Sequence, residues 1–597
     1  MNLKNIYFSW LIYWGKMKGL LNGIAEAIIL LASLASFFVL IYQFGFVQTP
    51  DSVHILERSR PFILLAFFTG ITLRYVVRFQ EIIQEKMLYL DISIYFLLFA
   101  VLSSKIFFKD AIAHSLPYLS FLTKPLFVYV LLLLLSTIHL SRQTFTLMQT
   151  RIKPSLLFLL SFVFVILVGA GLLSLPNATT HRIPFIDALF ISTTSVCVTG
   201  LTTVDVATSF THIGHIIILI LIQIGGIGVM TFTSFFALSF MGKSSFTSKM
   251  MLKDMLNEDR TGGLFRVILN ILFVTLFIEG IGAYFIYMDV RGSLPGGTQQ
   301  ELFYAMFHAV SAFCNAGIST LSGNMYDPLV ADKYNLHFWI AMLIIFGGLG
   351  FPIVFNYLKL LHHLLMNGIK ILIGKQKHYI HTPRIINVHT YIVVISTLIL
   401  LITGTAFYLF FEYDNTLGDL PLRGKLANAF LGAVTPRTAG FNVADMATLA
   451  PPTLMLTLIL MVIGAAPMST GGGLKVTTVF AGEKDNGEVR KREIAPFAIR
   501  RAFAIIMMYF MWVAIATWVL SYTEKGAPLF SLLFEVVSAL STVGLSIDYT
   551  PHLTPIGKII IISTMLVGRI GVLAFLVSFC KEYTKKDYTY PQENILM

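Results

Sequence analysis

Charge is scarce in this sequence. Only 12% of its 597 residues are Asp, Glu, Lys or Arg, about half of what a soluble fold of this size carries. Cysteine is scarcer still: Cys197, Cys314 and Cys580 are too few and too scattered for a disulfide framework or a thiolate metal site. There is no Walker A pattern, no phosphorylatable DKTG segment and no polar stretch large enough to bind ATP. A primary pump or other membrane enzyme therefore finds no support, and no organic cofactor is expected. A secretory signal is also missing, since Lys16 and Lys18 precede a first apolar stretch that reads as retained.

What fills the chain is apolar. Hydrophobic residues make up 56% and the mean hydropathy is +0.78. Segments such as 28–39, 126–137 and 156–175 are nearly free of charge, and several extend to the ~20 residues that cross a ~30 Å hydrocarbon core. Long unalternating runs mean helices rather than a barrel, because lipid offers the backbone no hydrogen-bond partner. The fold class is an all-α polytopic membrane protein. The net charge of +12 could suit nucleic acid, but the basic residues sit in short loops between spans, as the positive-inside rule requires. Segment 359–386 carries Lys359, Lys370, Lys375, Lys377 and Arg384 without an acid; segment 482–501 carries Lys484, Arg490, Lys491, Arg492, Arg500 and Arg501 beside four acids. Both read as cytoplasmic, with no nucleic-acid partner expected and membrane lipid as the ordinary one.

Residues 1–150 predict four helices, near 24–47, 61–78, 89–107 and 117–140. An even number returns the chain to the cytoplasm, where Arg142, Arg151 and Lys153 lie, and agrees with a cytoplasmic N-terminus. From Pro154 onward one pattern recurs four times: a long apolar helix, a short semi-polar stretch, a glycine and a second long helix. First helices fall near 155–175, 264–287, 387–411 and 498–521, and second helices near 211–240, 337–366, 453–480 and 554–580. The stretches between, 185–196, 299–312, 424–435 and 528–541, are about three turns long and so re-entrant or interfacial rather than spanning. The expected units are 151–245, 246–370, 371–485 and 486–597. Aligned on Gly200, Gly317, Gly440 and Gly544, each copy has Phe ten residues earlier: Phe190, Phe307, Phe430 and Phe534. A large apolar residue follows each glycine, and then a small polar one: Thr202, Ser319, Asn442 or Ser546.

A helix that stops halfway through the membrane leaves unsatisfied carbonyls at the negative end of its dipole. Four such ends on one axis would ring a hole with oxygens able to replace a cation's water shell. Glycine permits the turn outward at dihedrals closed to other residues. The expected filter segments are Val198-Thr199-Gly200, Asn315-Ala316-Gly317, Thr438-Ala439-Gly440 and Thr542-Val543-Gly544. They contain no acid, which favours a weakly hydrated monovalent ion over calcium. Asp205, Asp445 and Asp548 lie four or five residues past their glycines. They are either the negative outer mouth of a pore or ordinary solvated loop acids.

The segments TSVCVTGLT (194–202), SAFCNAGIS (311–319), TPRTAGFN (435–442) and SALSTVGLS (538–546) resemble the four pore loops of the Trk/Ktr/HKT superfamily of potassium transporters. QIGGIGVMT (223–231), FGGLGFP (346–352), GAAPMSTGGGLKVTT (464–478) and VGRIGVLAF (567–575) resemble its inner-helix signatures. The likeness spans about 150–580 and leaves 1–150 as extra helices without an assigned role. It implies pseudo-fourfold symmetry around one pore, potassium as the transported ion and an intramembrane gate at Gly471, Gly472, Gly473 and Lys475. It further implies a barrier arginine at Arg569, a homodimer, and a cytoplasmic ring of nucleotide-binding regulatory subunits. That ring would dock on basic loops 243–260, 359–386 and 482–501. The location implied is the cell inner (plasma) membrane, with both termini cytoplasmic. Glycine in all four filters, rather than serine in the first, favours potassium by that analogy; a sodium-coupled or sodium-permeable transporter of the same fold is the alternative.

The residues speak to part of this independently. Pro467 and Gly471-Gly472-Gly473 cannot continue a helix comfortably, which makes a flexible break; a packing kink is the bland reading. Arg569 within an apolar helix costs about 2.5–3.5 kcal/mol and faces a cavity, or else snorkels to the interface. Lys475 either belongs to the gate or anchors the loop at the cytoplasmic boundary. Arg437 is expected to brace its loop or acidic neighbours. His308 reads as a packing histidine, and Cys197 and Cys314 as small packing groups behind the filter. Asn177-Ala178-Thr179 is a sequon by letter only, and the glycines at 225, 226 and 228 lack the strand a dinucleotide fingerprint needs.

Overall fold

The computed structural model describes residues 3–82, 88–106, 124–148, 154–228, 264–373, 388–467, 469–482, 488–489, 492–493 and 496–579. The basic segment 243–260, residues 374–386, Lys484, Arg490, Lys491 and Cys580 lie outside the described residues.

Among the described residues four helices precede Pro154: α1 (Leu3–Gly45), α2 (Pro50–Ile82), α3 (Leu88–Ile106) and α4 (Pro125–Met148). Ile29, Leu64, Phe67, Leu98 and Leu132 form their common core. Arg60 is buried among them with its guanidinium 4.5 Å from the centre of the Tyr129 ring, an aromatic face that offsets the lost hydration of a cation. The bundle joins the rest of the chain at the end of α1. Asn177 N–H donates to Gly45 O at 3.0 Å, its side-chain amide to Phe46 O at 2.9 Å, and its own carbonyl accepts from the Thr211 hydroxyl at 2.6 Å. Asn177 is therefore a strap across the open end of a helix, using carbonyls that α1 leaves unpaired.

Each later unit has an outer helix, a short pore helix and an inner helix. The outer helices are α5 (Pro154–Leu173), α8 (Leu264–Val290), α12 (Val388–Glu412) and α16 (Pro496–Thr523). The pore helices are α6 (Phe185–Cys197), α9 (Gly297–Phe313), α13 (Leu422–Val434) and α17 (Leu529–Leu540). Three of them start directly after a proline: Pro184, Pro421 and Pro528. The proline ring presets φ for entry.

The runs 211–240, 337–366 and 554–580 predict long inner helices and 453–480 one interrupted at its glycines; the third is interrupted as expected, and the other three also end or bend at a glycine. α7 (His212–Ile227) stops at Gly228, α10 (Tyr334–Leu349) at Gly350 and α18 (Pro555–Ile570) at Gly571. These glycines have φ of 91°, 83° and 91°, left-handed values that end a helix and cost a residue without Cβ little. Beyond them α11 (Phe351–Leu372) and α19 (Val572–Phe579) leave at 101° and 97°. The third inner helix is split wider, into α14 (Pro451–Val462) and α15 (Val476–Gly482), with a loop between. Among the described residues five helices are long and apolar enough to span a membrane, up to seven counting each bent pair as one.

The four units close into a ring. Inner helix α7 packs on pore helix α9, α10 on α13, α14 on α17, and α18 returns to α6. The last step carries an ion pair: Lys558 Nζ lies 2.5 Å from Asp187 Oδ1, both side chains nearly buried. At the α10–α13 step His337 Nδ1 and Asn428 Oδ1 are 2.7 Å apart. Inside three units the inner helix meets its own pore helix through glycine. A Cβ at Gly225, Gly347 or Gly568 would strike the Val196, Phe313 or Leu540 carbonyl oxygen, each four residues before the filter glycine.

That backbone cannot yield as a side chain does, so Gly347→Ala and Gly568→Ala should each cost at the upper end of the ~1–3 kcal/mol typical of overpacking. Gly171→Ala, where a Cβ meets open space, should be neutral. Thermal unfolding of the detergent-purified variants, followed by the monodisperse fraction left after heating, distinguishes the two outcomes.

Candidate functional site

At the end of every pore helix the backbone makes the same manoeuvre. The residue two before each glycine adopts a left-handed conformation: Val198 at φ 56°, Asn315 at 60°, Thr438 at 74° and Thr542 at 51°. Such conformations in non-glycine residues cost on the order of 1–3 kcal/mol each and survive only where the surroundings hold them. Gly200, Gly317, Gly440 and Gly544 follow at φ of 101°, 65°, 78° and 92°. The turn is fastened from the pore helix. Thr199, Ala316 and Val543 N–H donate to Thr194, Ser311 and Ser538 O at 2.8, 2.7 and 2.9 Å. Gly200 and Gly544 N–H donate to the hydroxyls of Thr194 and Ser538 at 2.9 and 3.1 Å. Val434 holds that place in the third unit and offers no hydroxyl, so Ala439 and Gly440 donate to Thr435 O at 2.9 and 3.3 Å.

The four segments meet one another. A Cβ on Gly200 would lie 2.6 Å from Ala316 O; one on Gly317 would strike Ala439 O, one on Gly440 Val543 O, and one on Gly544 Thr199 O. Each glycine thus faces the carbonyl before the glycine of the next unit, and the fourth returns to the first. All twelve residues expected as filter are brought together, and Thr199, Ala316, Ala439 and Val543 are fully buried within it.

Above the glycines opens a cavity of about 280 Å³ lined by all four units. Asp205, Asp445 and Asp548 lie in its wall. Asp205 accepts from Ala207 N–H at 3.0 Å and from the Ser322 hydroxyl of the next unit at 2.6 Å; Asp445 accepts from Ala447 N–H at 3.0 Å. The Tyr326 phenol beside this cavity is pushed up from the ordinary value, first by burial and then by Asp445, Asp548 and Asp327.

Below the glycines lies the loop that splits the third inner helix. Its two stems are zipped, with Gly464 N–H donating to Leu474 O at 2.9 Å and Leu474 N–H to Val462 O at 3.3 Å. Gly471 and Gly472 are buried so closely that a Cβ would strike the Thr438 and Thr542 hydroxyls. Gly473 turns at φ 68°. Across from them Ala466 N–H donates to Gly348 O at 3.0 Å and the Thr470 hydroxyl to Phe313 O at 3.3 Å. Lys475 points inward, its ammonium 2.5 Å from Gly471 O. Arg569 also turns inward, donating to Thr470 O and to Gly225 O on the first inner helix. Arg437, for which an acidic neighbour is one expectation, instead donates to Gly464 O at 3.3 Å.

Several functional-looking groups escape a motif search. Glu535, fully buried in the fourth pore helix, accepts from the hydroxyls of Ser546 and Thr550, the latter at 2.6 Å. His308 stands at the equivalent place in the second unit, bonded to Tyr304 O at 2.9 Å and Ser319 Oγ at 3.0 Å. Ser319 and Ser546 both lie two after their glycine; Ile191 and Leu431 fill the corresponding positions elsewhere. Glu279, buried in the second outer helix, accepts from Gln223 Nε2 at 3.1 and 3.0 Å. Glu412 and Glu524 sit at the N-termini of two inner helices, where Glu412 accepts from Ala450 N–H at 2.9 Å and Glu524 from the Thr554 hydroxyl at 2.6 Å. The signal available was a carboxylate within an apolar run. Among the described residues no group of His, Cys, Asp and Glu is arranged to hold a metal ion.

The chain is similar to known proteins. The chain is 35% identical over 472 residues to the potassium/sodium uptake protein NtpJ of Enterococcus hirae, covering 75% of this chain and 98% of that one. It is 34% identical over 457 residues to the Ktr system potassium uptake protein B of Bacillus subtilis, covering 74% and 97%. The crystal structure of the potassium transporter TrkH from Vibrio parahaemolyticus superposes with a TM-score of 0.57 at 15% identity, over 82% of this chain and 96% of that one; this bears on the fold. Residues 127–589 match the TrkH family, described as cation transport proteins. The match begins inside α4, one helix earlier than the pore-loop motifs suggest. This multi-pass membrane chain, a transporter and not an enzyme, belongs to the TrkH family of cation transport proteins.

Proposed function

We propose that the chain takes up potassium across the cell membrane, passing the dehydrated ion downhill through the ring of filter carbonyls under the membrane potential. What carries the reading is the cyclic contact of Gly200, Gly317, Gly440 and Gly544 with the carbonyls of the neighbouring units. Backbone oxygens without carboxylates suit a large monovalent cation, whose lost water they replace. The three vestibule carboxylates gather cations at the entrance. The loop 463–475, seated under Thr438 and Thr542 and fixed by Lys475 and Arg569, obstructs the exit and acts as the gate. Two fixed positive charges there repel an arriving cation until the loop withdraws.

Relatives named as potassium uptake proteins support the ion. The relative named for both potassium and sodium keeps a sodium-permeable or sodium-coupled mode as the second reading. The family resemblance further suggests a homodimer and a cytoplasmic nucleotide-binding regulatory ring, with both termini on that side. Lys359 and Lys370 on α11 and Arg500 and Arg501 on α16 are the described parts of the proposed docking loops.

Three measurements test this. Gly200→Ser places a side chain at φ 101° against Ala316 O. In liposomes it should lower the Rb⁺/Na⁺ flux ratio about tenfold, the equivalent of ~1.4 kcal/mol; an unchanged ratio refutes the filter. Arg569→Gln should raise Rb⁺ influx in the absence of any partner, and parent-like influx would refute the gate. Asp548→Asn should slow Rb⁺ uptake at low ionic strength and match the parent near 1 M salt, where the screening length falls to about 3 Å.

A further inference from the structure

We propose that Arg437 is a positioning residue, a strut that ties the third filter segment to the stem of the 463–475 loop, so that filter and loop move together. This rests on reading that loop as the gate. Arg437 lies three residues before Gly440; the same place holds Cys197, Cys314 and Ser541 in the other units. A small group therefore suffices to pack behind a filter, and a guanidinium is not needed for filling space. Arg437 is 8% exposed, and among the described residues its Nε has no hydrogen-bond partner. A buried cation without an acid is retained at a cost. Membrane-buried charges of this kind serve function.

Its one side-chain hydrogen bond among the described residues explains the retention. Arg437 Nη2 donates to Gly464 O at 3.3 Å, and Gly464 is where the two stems of the loop meet through the bond to Leu474 O at 2.9 Å. A Cβ on Gly464 would strike Gly472 O across that junction. Lys475 and Arg569 hold the tip of the loop, at Gly471 and Thr470. Arg437 holds its base, and does so from within the filter, next to Thr438 in its left-handed conformation at φ 74°. A shift of Thr438 as an ion arrives or leaves carries the guanidinium with it and loosens Gly464. Conversely, a loop that swings aside takes away the acceptor of the Arg437 guanidinium and frees that flank of the third filter.

The test uses the full chain in liposomes, with Rb⁺ and Na⁺ influx measured without any partner. Arg437→Gln should raise basal Rb⁺ influx about fivefold or more, the lower end of ordinary coupling between sites. It should also lower the Rb⁺/Na⁺ ratio, a readout that a loss of packing in the loop alone would not move. Arg437→Lys, which keeps one donor, should fall between. Gly464→Ala, which pries the stems apart from the other side, should reproduce the leak. The double variant should leak no more than the stronger single one, since both break one contact. Parent-like influx and ratio in Arg437→Gln, or a double variant whose leak is the product of the two, overturns the strut. If Arg437→Gln does not assemble, parent-like behaviour of Arg437→Lys beside a leaking Gly464→Ala overturns it equally. Should Arg569→Gln leak while Arg437→Gln does not, only the strut falls; if neither leaks, the gate falls with it.

Discussion

Four short pore helices end in turns whose backbone polar groups lipid cannot satisfy. Everything else in the described structure answers that constraint. The chain cannot leave those groups facing lipid, so the ends are gathered around one line and enclosed by the inner helices. The glycines of those helices, at 225, 347 and 568, let them approach until backbone touches backbone. Closing the circle requires the last unit to find the first, and the Lys558–Asp187 ion pair lies at that seam. Outer helices then need only present apolar faces to lipid.

Strain is concentrated at the same level. Val198, Asn315, Thr438 and Thr542 all carry left-handed backbone, three of them β-branched, a class for which such dihedrals are true outliers. Pore-helix hydroxyls and carbonyls hold them there from above, and the loop beneath packs on the side chains of Thr438 and Thr542. These segments are thus held between the pore helices and the 463–475 loop. Cations beneath it are held by carbonyls instead of carboxylates, which leaves their charge unneutralised.

The pore helices and their glycines could be read from sequence because they repeat: four copies of one spacing are hard to arrange by accident, and the stretches are too short to cross a bilayer. The breaks in the first, second and fourth inner helices could not. Gly228, Gly350 and Gly571 sit in runs that remain apolar on both sides, and hydropathy reports depth, not direction. Cyclic order was hidden as well, since the contacts α7 to α9 and α18 to α6 join units that share no motif at the point of touch. Glu535 escaped because only two of four copies have a polar residue there, and an alignment rewards what all copies share. Arg437 stood out as a charge, but its partner is a carbonyl, and a carbonyl has no letter in the sequence.

The unequal treatment of Ser319 and Ser546 has a consequence for how the rim responds to change. A tetramer of identical subunits repeats every substitution fourfold; here one polypeptide supplies four quadrants that differ. The second and fourth are buttressed by His308 and Glu535, while Ile191 and Leu431 leave the first and third without that support. Stiffness at the entrance therefore runs along one diagonal, and the compliant pair sits across it. Selection can retune a soft quadrant while the stiff pair keeps the aperture from collapsing.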